Sequence, residues 1–214
     1  MLKAVLFDMD GVLVDSEEFI CKAAIEMFRE RGIVVQPEDF IPFVGAGENR
    51  YIGGVADKYN YPLNLEKDKA RTYEIYERIV SNQLTPLPGV IEFITRSRNK
   101  KLKTAVVTSA DEVKMITNLR EIGIPSVTFD ITINGLQVER KKPYPDIYLK
   151  ASEMLGVKPA ECLVVEDAPN GIEAAIAAGM RCLAVMSSFT EKDLREADWI
   201  VKDLTSVPEE VLVW

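Results

Sequence analysis

Four short, continuously apolar segments restrict the fold of this chain more than any other feature of its sequence. They read KAVLF at 3–7, KTAVV at 103–107, CLVV at 162–165 and CLAVM at 182–186. Because their apolar residues do not alternate with polar ones, these segments are typical of strands in a parallel sheet covered on both faces. Two weaker strands are expected near Phe129–Ile133 and Trp199–Val201.

Amphipathic helical patterns separate the later strands. In Asp146–Leu155 the apolar residues recur at i, i+4 and i+8, and the isoleucines of Gly171–Ala178 share one helical face. Alternating strands and helices imply right-handed crossovers between parallel strands. The sequence therefore predicts an α/β fold with a doubly wound, Rossmann-like parallel sheet core.

The segment 17–83 interrupts this alternation. Glu17–Arg31 and Leu65–Val80 both repeat apolar residues at helical spacing, another helical stretch follows Gly45-Ala46-Gly47, and no convincing strand lies between them. We therefore expect an inserted α-helical cap domain formed by residues 17–83. Residues 1–16 and 84–214 are expected to form the α/β core domain.

The composition excludes several kinds of chemistry. With 26 basic and 34 acidic residues the formal net charge is −8, which disfavours nucleic acids and anionic membranes as partners. The chain contains no histidine, so Ser-His-Asp catalysis, Cys-His catalysis and histidine-ligated zinc are excluded. Three cysteines without a C-x-x-C pair, and no pattern of a signal peptide or membrane span, predict a cytoplasmic protein.

Polar side chains follow the predicted strands at their carboxyl ends, where open α/β sheets bind ligands. They are Asp8 and Asp10 after the first strand, Thr108 and Ser109 after the second, Lys142 ahead of the helix at 146, and Glu166 and Asp167 after CLVV. Each has a simpler explanation when taken alone, as a turn, a helix N-cap or an exposed loop charge. Their common position at strand ends favours a single site.

Four carboxylates gathered in one place would repel one another. A hard divalent cation compensates for this, and Mg²⁺ favours oxygen ligands together with a substrate phosphate. Thr108 and Lys142 would supply a hydrogen-bond donor and a positive charge to the same phosphate. The predicted chemistry is metal-assisted phosphoryl transfer with Mg²⁺ as cofactor.

These segments resemble a known family. DMDGVLVDS at 8–16 resembles motif I of the haloacid dehalogenase superfamily, Thr108 resembles motif II, Lys142 in KPYPDIY resembles motif III, and EDAPNG at 166–171 resembles motif IV. The four motifs occur in order over essentially the whole chain. The branch that they resemble is that of the β-phosphoglucomutase-like phosphatases with a helical cap after motif I.

The resemblance implies roles for the acidic residues. Asp8 would be the nucleophile that forms an aspartyl-phosphate, and Asp10 would be the general acid and base. Asp8, the backbone carbonyl of Asp10, and Asp167 would hold Mg²⁺, with Glu166 acting through water. Ser16 is expected to cap the helix that follows.

The resemblance also implies which residues bind the substrate. Thr108, Ser109 and Lys142 would hold the transferring phosphoryl group. Three residues after the Gly-rich cap segment are candidates for contacting the leaving group, although a solvated helix start explains each of them equally well: Glu48, Asn49 and Arg50.

The leading hypothesis is a Mg²⁺-dependent phosphatase that hydrolyses a small phosphomonoester such as a sugar phosphate, beneath a cap that excludes large substrates. A sugar phosphomutase is the first alternative, but mutases of this branch carry a cap histidine where this chain has Glu18-Phe19-Ile20. A non-catalytic Mg²⁺-binding or phosphoacceptor module is the second alternative. The expected partner is a small phosphorylated metabolite, with no nucleic acid, no membrane and no obligate protein partner.

Overall fold

A parallel sheet of six strands organises the molecule, as a computed structural model describes it for residues 1–45 and 47–214. The strands are β1 (Ala4–Phe7), β2 (Lys103–Val107), β3 (Ile131–Ile133), β4 (Cys162–Glu166), β5 (Arg181–Val185) and β6 (Trp199–Val201). Their order across the sheet is β3-β2-β1-β4-β5-β6. This order, with β1 at the centre, confirms the predicted doubly wound, Rossmann-like fold.

Both faces of the sheet are buried, which is why the strands are apolar without alternation. Phe7 of β1 pairs with Val106 on one side and Val165 on the other. Successive side chains of a strand point to opposite faces: Phe7 packs in one hydrophobic cluster, and Leu6 packs in the other. The continuous apolar runs therefore supply two cores at once.

Seven α-helices accompany the strands in the described part of the chain. They are α1 (Glu17–Glu30), α2 (Glu48–Lys58), α3 (Leu65–Val80), α4 (Val90–Asn99), α5 (Glu112–Glu121), α6 (Asp146–Leu155) and α7 (Pro169–Ala177). The ends of α3 and α6 are those that the periodicity predicts. The last helix begins at Pro169 rather than Gly171, because proline is well suited to the first helical position.

Helices α1, α2 and α3 form the helical insertion between β1 and β2. Phe28 of α1 packs against Phe40 and Tyr61, with ring centroids 6.3 Å and 6.0 Å apart. The chain segments that enter and leave this insertion lie side by side, and the Leu87 N–H donates to the Leu13 carbonyl at 3.0 Å. The division into a core of 1–16 and 84–214 and a cap of 17–83 stays a prediction.

The helices of the described residues are short or charged. The longest, α3, has 16 residues with the sequence LEKDKARTYEIYERIV. Within residues 1–45 and 47–214, none combines the length and the apolarity that a membrane span requires.

Candidate active site

The ammonium of Lys142 lies between two buried carboxylates at the carboxyl edge of the sheet. Its Nζ is 2.5 Å from Oδ1 of Asp8, directly after β1, and 2.6 Å from Oε1 of Glu166, the last residue of β4. The Asp8 N–H donates to the Val165 carbonyl at 2.9 Å, which continues the pairing of the two strands. Asp8 and Glu166 are 158 positions apart in the sequence, and the pairing of β1 with β4 brings them together, as the parallel sheet predicts.

Both carboxylate oxygens of Glu166 are fully engaged. Oε1 accepts from Lys142 and from the Tyr148 hydroxyl at 2.8 Å. Oε2 accepts from the backbone N–H groups of Asp167 at 3.0 Å and Ala168 at 3.2 Å. A carboxylate has about four lone-pair sites, so these four donors satisfy it.

Glycines allow backbone to approach the two acidic residues after β4. A Cβ at Gly11, where φ is +75°, would lie 2.0 Å from Oδ2 of Asp167. A Cβ at Gly171, in the first turn of α7, would lie 1.8 Å from Oε1 of Glu166. A side chain at either position would displace one of these carboxylates, so glycine lets the turn after β1 and the start of α7 lie directly against them.

Three carboxylates form one compact group. Asp8, Glu166 and Asp167 each offer an oxygen within 4.8 Å of the other two, and all three residues are buried. Burial, together with the neighbouring Glu166, raises the pKa of Asp8 to about 7, although Lys142 acts in the opposite direction. Burial and the neighbouring Glu166 and Asp8 raise the pKa of Asp167 well above its usual range.

The oxygens of Asp8 and Asp167, beside the charge of Glu166, fit a hard divalent cation. The only ammonium bonded to the group in the described residues is that of Lys142, so negative charge stays in excess. Buried charges without a partner are costly, and a cation on carboxylate oxygens removes that cost. Oxygen ligands without histidine or cysteine favour Mg²⁺ among the common cations.

The two hydroxyl residues after β2 lie on the wall of the same cavity. Thr108 is buried, its N–H donates to the Ile133 carbonyl at 3.0 Å, and its Oγ1 accepts from the Ala110 N–H at 3.1 Å. The buried Oγ of Ser109 has no hydrogen-bond partner among the described residues. Buried hydroxyls are normally paired, so an open one on a cavity wall points to a ligand atom that completes it.

The carboxylate of Asp10 stands apart from the acidic group and is held from two sides. Its Oδ2 is 2.8 Å from Nζ of Lys114 on α5, and its Oδ1 accepts from the hydroxyl of Ser16. Ser16 occupies the N-cap position of α1, as expected, but its hydroxyl makes no cap hydrogen bond. The hydroxyl of Ser16 donates to Asp10 instead.

Helix α5 supplies residues that sequence reasoning missed. Lys114, Thr117 and Asn118 are buried, whereas Val113 and Ile116 on the same helix are exposed. The polar residues at i, i+3 and i+4 therefore form the inward face. Polar residues that recur at helical spacing beside apolar ones therefore indicate a helix with a buried polar face.

A cavity of about 540 Å³ separates the acidic group from the helical insertion. Of the three cap candidates, Glu48 lines it, buried and with Oε2 accepting from the Asp111 N–H at 3.2 Å. Gly45 and Gly47 also line the cavity, whereas Ala46 lies outside the described residues.

Asn49 and Arg50 are exposed, and neither is among the described residues lining the cavity, as the alternative of a solvated helix start describes. Asn49 accepts from Lys69 Nζ at 2.8 Å, and Arg50 lies over the Phe43 ring at 5.7 Å. On α2, the side chain of Glu48 faces the cavity, whereas those of Asn49 and Arg50 face solvent.

A buried carboxylate–lysine cluster at the carboxyl edge of a doubly wound sheet lies where α/β enzymes bind their ligands. The family model described as "Haloacid dehalogenase-like hydrolase" matches residues 5–185. The chain belongs to this family, which confirms the resemblance carried by the four sequence motifs.

Curated relatives include named phosphatases. The "Phosphorylated carbohydrates phosphatase" of Thermotoga maritima is 32% identical over 99% of this chain and 97% of its own length. "Protein SUPPRESSOR OF QUENCHING 1, chloroplastic" of Arabidopsis thaliana is 42% identical over 92% of this chain. This chain spans only 19% of the length of that plant protein.

Solved structures of CbbY from Rhodobacter sphaeroides are similar to this one over 99% of both chains, with a TM-score of 0.88 and 25% identity. One of them is a complex with phosphate, and another is a complex of a mutant with xylulose-(1,5)bisphosphate.

Proposed function

We propose that this chain is a Mg²⁺-dependent phosphatase that hydrolyses a small phosphomonoester, a sugar phosphate or a similar metabolite, through an aspartyl-phosphate. The observation that carries the proposal is the Lys142 ammonium held between Asp8 and Glu166 beside Asp167, at the bottom of a cavity. Relatives named as phosphatases of phosphorylated carbohydrates support the same chemistry.

Asp8 is the nucleophile in this proposal. One of its carboxylate oxygens attacks phosphorus, and the bond from phosphorus to the ester oxygen breaks. Asp10 gives its proton to the leaving oxygen and afterwards takes one from the water that attacks the phosphoryl group. That second attack releases inorganic phosphate and restores the Asp8 carboxylate. The contacts from Ser16 and Lys114 keep the Asp10 carboxylate oriented for both steps.

Residues beside Asp8 neutralise and hold the phosphoryl group. Lys142 offsets the charge of Asp8 and can donate to a phosphoryl oxygen. The hydroxyls of Thr108 and Ser109 are proposed as further donors, and the open Oγ of Ser109 supports this role. Together, Lys142, Thr108 and Ser109 bind the oxygens of the transferring phosphoryl group, which share its negative charge in the transition state.

Asp8, Asp167 and the backbone carbonyl of Asp10 would hold Mg²⁺. Glu166 acts indirectly, because its four hydrogen-bond donors leave no free lone pair for a metal. When bound, Mg²⁺ supplies positive charge that offsets the carboxylates and the phosphoryl oxygens.

The helical insertion 17–83 serves as a cap that closes over the substrate. Glu48 from α2, Gly45 and Gly47 face the site from this side. Hydrolysis is favoured over the phosphomutase reaction, because Glu18 is exposed and paired with Lys22 rather than directed into the cavity. The absence of any histidine in the sequence supports the same choice.

Steady-state hydrolysis of a panel of phosphate esters, with Mg²⁺ and with EDTA, tests the proposal. We expect turnover that requires Mg²⁺ and a loss of about 10³-fold or more in Asp8→Asn. Turnover in EDTA, or turnover retained by Asp8→Asn, would contradict the proposal. Formation of a sugar bisphosphate during turnover would indicate the mutase instead.

A further inference from the structure

The core and the helical insertion line the cavity with different chemistry. Asp8, Lys142 and Thr108 line it from the core, where phosphorus is attacked. Glu17 of α1, Glu48 and Tyr51 of α2, and several apolar side chains line it from the helical insertion, and this part is called the second end. The leaving group of the ester must occupy this second end, so its lining residues determine which esters fit.

The lysines that line the cavity in the described part of the chain are both paired with carboxylates. Lys141 approaches the lining residue Gly47, but it is not among the lining residues, and its ammonium donates to the Ser109 carbonyl at 3.0 Å. Among the described residues that line the cavity there are two lysines, Lys114 and Lys142, and no arginine. Lys142 is bonded to Asp8 and Glu166. Lys114 is bonded to Asp10, and its pKa is raised by the neighbouring carboxylates of Asp10, Glu17 and Glu48.

The second end instead offers carboxylate oxygens. Oε1 of Glu17 is buried and has no hydrogen-bond partner among the described residues. Glu48 is buried and uses Oε2 to accept from the Asp111 N–H. Carboxylates accept hydrogen bonds from hydroxyl groups, and an open buried acceptor is costly until a donor reaches it.

The apolar lining complements these acceptors. Ile20, Phe43 and Tyr51 also line the cavity from the helical insertion, and Ile20 and Tyr51 are buried. A polyhydroxylated carbon chain presents C–H surface to such side chains and hydroxyl groups to the carboxylates. A second phosphate, with a charge of about −1.5 to −2, would be placed beside Glu17 and Glu48 without a counterion.

We propose that Glu17 and Glu48 are specificity-determining residues that receive hydroxyl groups of the leaving group and exclude a second phosphate. The inference rests on the proposed phosphatase function. It restricts the substrates to monophosphates of polyhydroxylated compounds and excludes their bisphosphates. In this respect the chain would differ from CbbY, a mutant of which was crystallised with a bisphosphate.

Matched pairs of esters test this discrimination. The pairs are xylulose 5-phosphate with xylulose 1,5-bisphosphate, fructose 6-phosphate with fructose 1,6-bisphosphate, and glucose 6-phosphate with glucose 1,6-bisphosphate. We expect kcat/KM of the preferred monophosphate to exceed that of its bisphosphate by about 100-fold. p-Nitrophenyl phosphate, which has no hydroxyl groups, reports the phosphoryl chemistry independently of the second end.

Isosteric variants connect the preference to the two carboxylates. In Glu17→Gln and Glu48→Gln we expect the monophosphate preference to fall by about tenfold each, because a repulsive charge and a strong acceptor are lost. Glu18→Gln is the matched control, since Glu18 is an exposed residue of α1 that pairs with Lys22 and does not line the cavity. Thermal unfolding verifies that each variant is folded.

The outcomes separate this inference from the proposed function. Hydrolysis of p-nitrophenyl phosphate together with equal turnover of monophosphate and bisphosphate would overturn the inference alone. So would hydrolysis of p-nitrophenyl phosphate with no turnover of any sugar ester, or a preference that both glutamine variants retain. No turnover of any ester in the presence of Mg²⁺ would overturn the proposed function and the inference with it.

Discussion

The ammonium of Lys114 lies 2.8 Å from Oδ2 of Asp10 and is buried, with 4% of its side chain exposed. This ion pair joins helix α5 to the turn after β1. It fixes the orientation of the carboxylate that we propose as the general acid and base. Lys114 donates to Oδ2 of Asp10, and Ser16 donates to Oδ1.

Replacing Lys114 with Met tests this positioning. We expect kcat for p-nitrophenyl phosphate to fall by about 10–100-fold with a smaller change in KM, because Asp10 loses its orientation rather than the substrate losing a contact. Lys22→Met, at an exposed lysine of α1, should leave both constants unchanged. A change in KM alone would contradict a positioning role.

Mg²⁺ should stabilise the fold through Asp167. At a concentration about 100-fold above its Kd the ion contributes about 2.7 kcal/mol, or roughly 5–10 °C in Tm for a chain of this size. Asp167→Asn should lose most of this increase. Its metal-free form should melt above the metal-free wild type, because burial raises the Asp167 pKa and so disfavours the charged form in the fold. Differential scanning calorimetry with Mg²⁺ and with EDTA measures both effects, and equal Mg²⁺ shifts in the two proteins would contradict the assignment.

Asp39 gives the helical insertion a pH-dependent stability. Lys58, the Tyr59 hydroxyl and the Gln36 N–H all donate to its carboxylate, and these bonds lower its pKa to about 2. A lowered folded-state pKa stabilises the fold above the ordinary value of 3.8, and this stabilisation is lost as the pH falls toward 2.

Asp39→Asn should therefore lower the free energy of unfolding by about 1–2 kcal/mol at pH 7, with the difference from wild type shrinking below pH 4. Urea unfolding at several pH values measures it. Asp57→Asn, at an exposed residue of α2, should differ little from wild type throughout. A wild-type advantage that grows on acidification would show that the sign is wrong.

Lys69 joins the helical insertion to the α/β core. Its Nζ is 2.5 Å from Oδ2 of Asp111, at the start of α5, and 2.8 Å from Oδ1 of Asn49. If 17–83 moves as a cap, Lys69→Met should favour the open state and raise KM about 3–10-fold with little change in kcat. Lys67→Met, at an exposed position of α3, is the control. Unchanged KM in Lys69→Met would contradict a role for this contact in closure.

Much of the fold follows from short-range patterns. The four continuous apolar runs predict β1, β2, β4 and β5 to within about one residue, because strands buried on both faces are apolar throughout. The two weaker expectations, near 129–133 and 199–201, coincide with β3 and β6. The same topology predicts that Asp8, Lys142 and Asp167 meet, since parallel strand ends share one edge. Helices α4 and α5 are not among the predicted helices. In α5, polar residues are buried and two apolar residues are exposed, so its inward face cannot be recognised from hydrophobic periodicity.

Contacts made by polar faces of helices could not be predicted in this way. Lys114 and Asp10 are 104 positions apart, and their contact depends on how α5 packs against the turn after β1. Asn49 and Arg50 follow Glu48 directly, but the rotation of α2 turns only Glu48 inward. A sequence specifies the face of a helix well when that face is apolar, and poorly when a polar face lines a cavity.

Trapping with hydroxylamine during turnover tests the central claim, that Asp8 accepts the phosphoryl group, most directly. Hydroxylamine attacks the carbonyl carbon of an acyl phosphate, releases phosphate and leaves a hydroxamate on the carboxyl group. After turnover with Mg²⁺ and a hydrolysed ester, peptide mass spectrometry should find the hydroxamate on Asp8 in proportion to the activity lost, and no label when the ester is omitted. Extensive turnover with Asp8 unmodified, or with the label on Asp10 instead, would contradict the account.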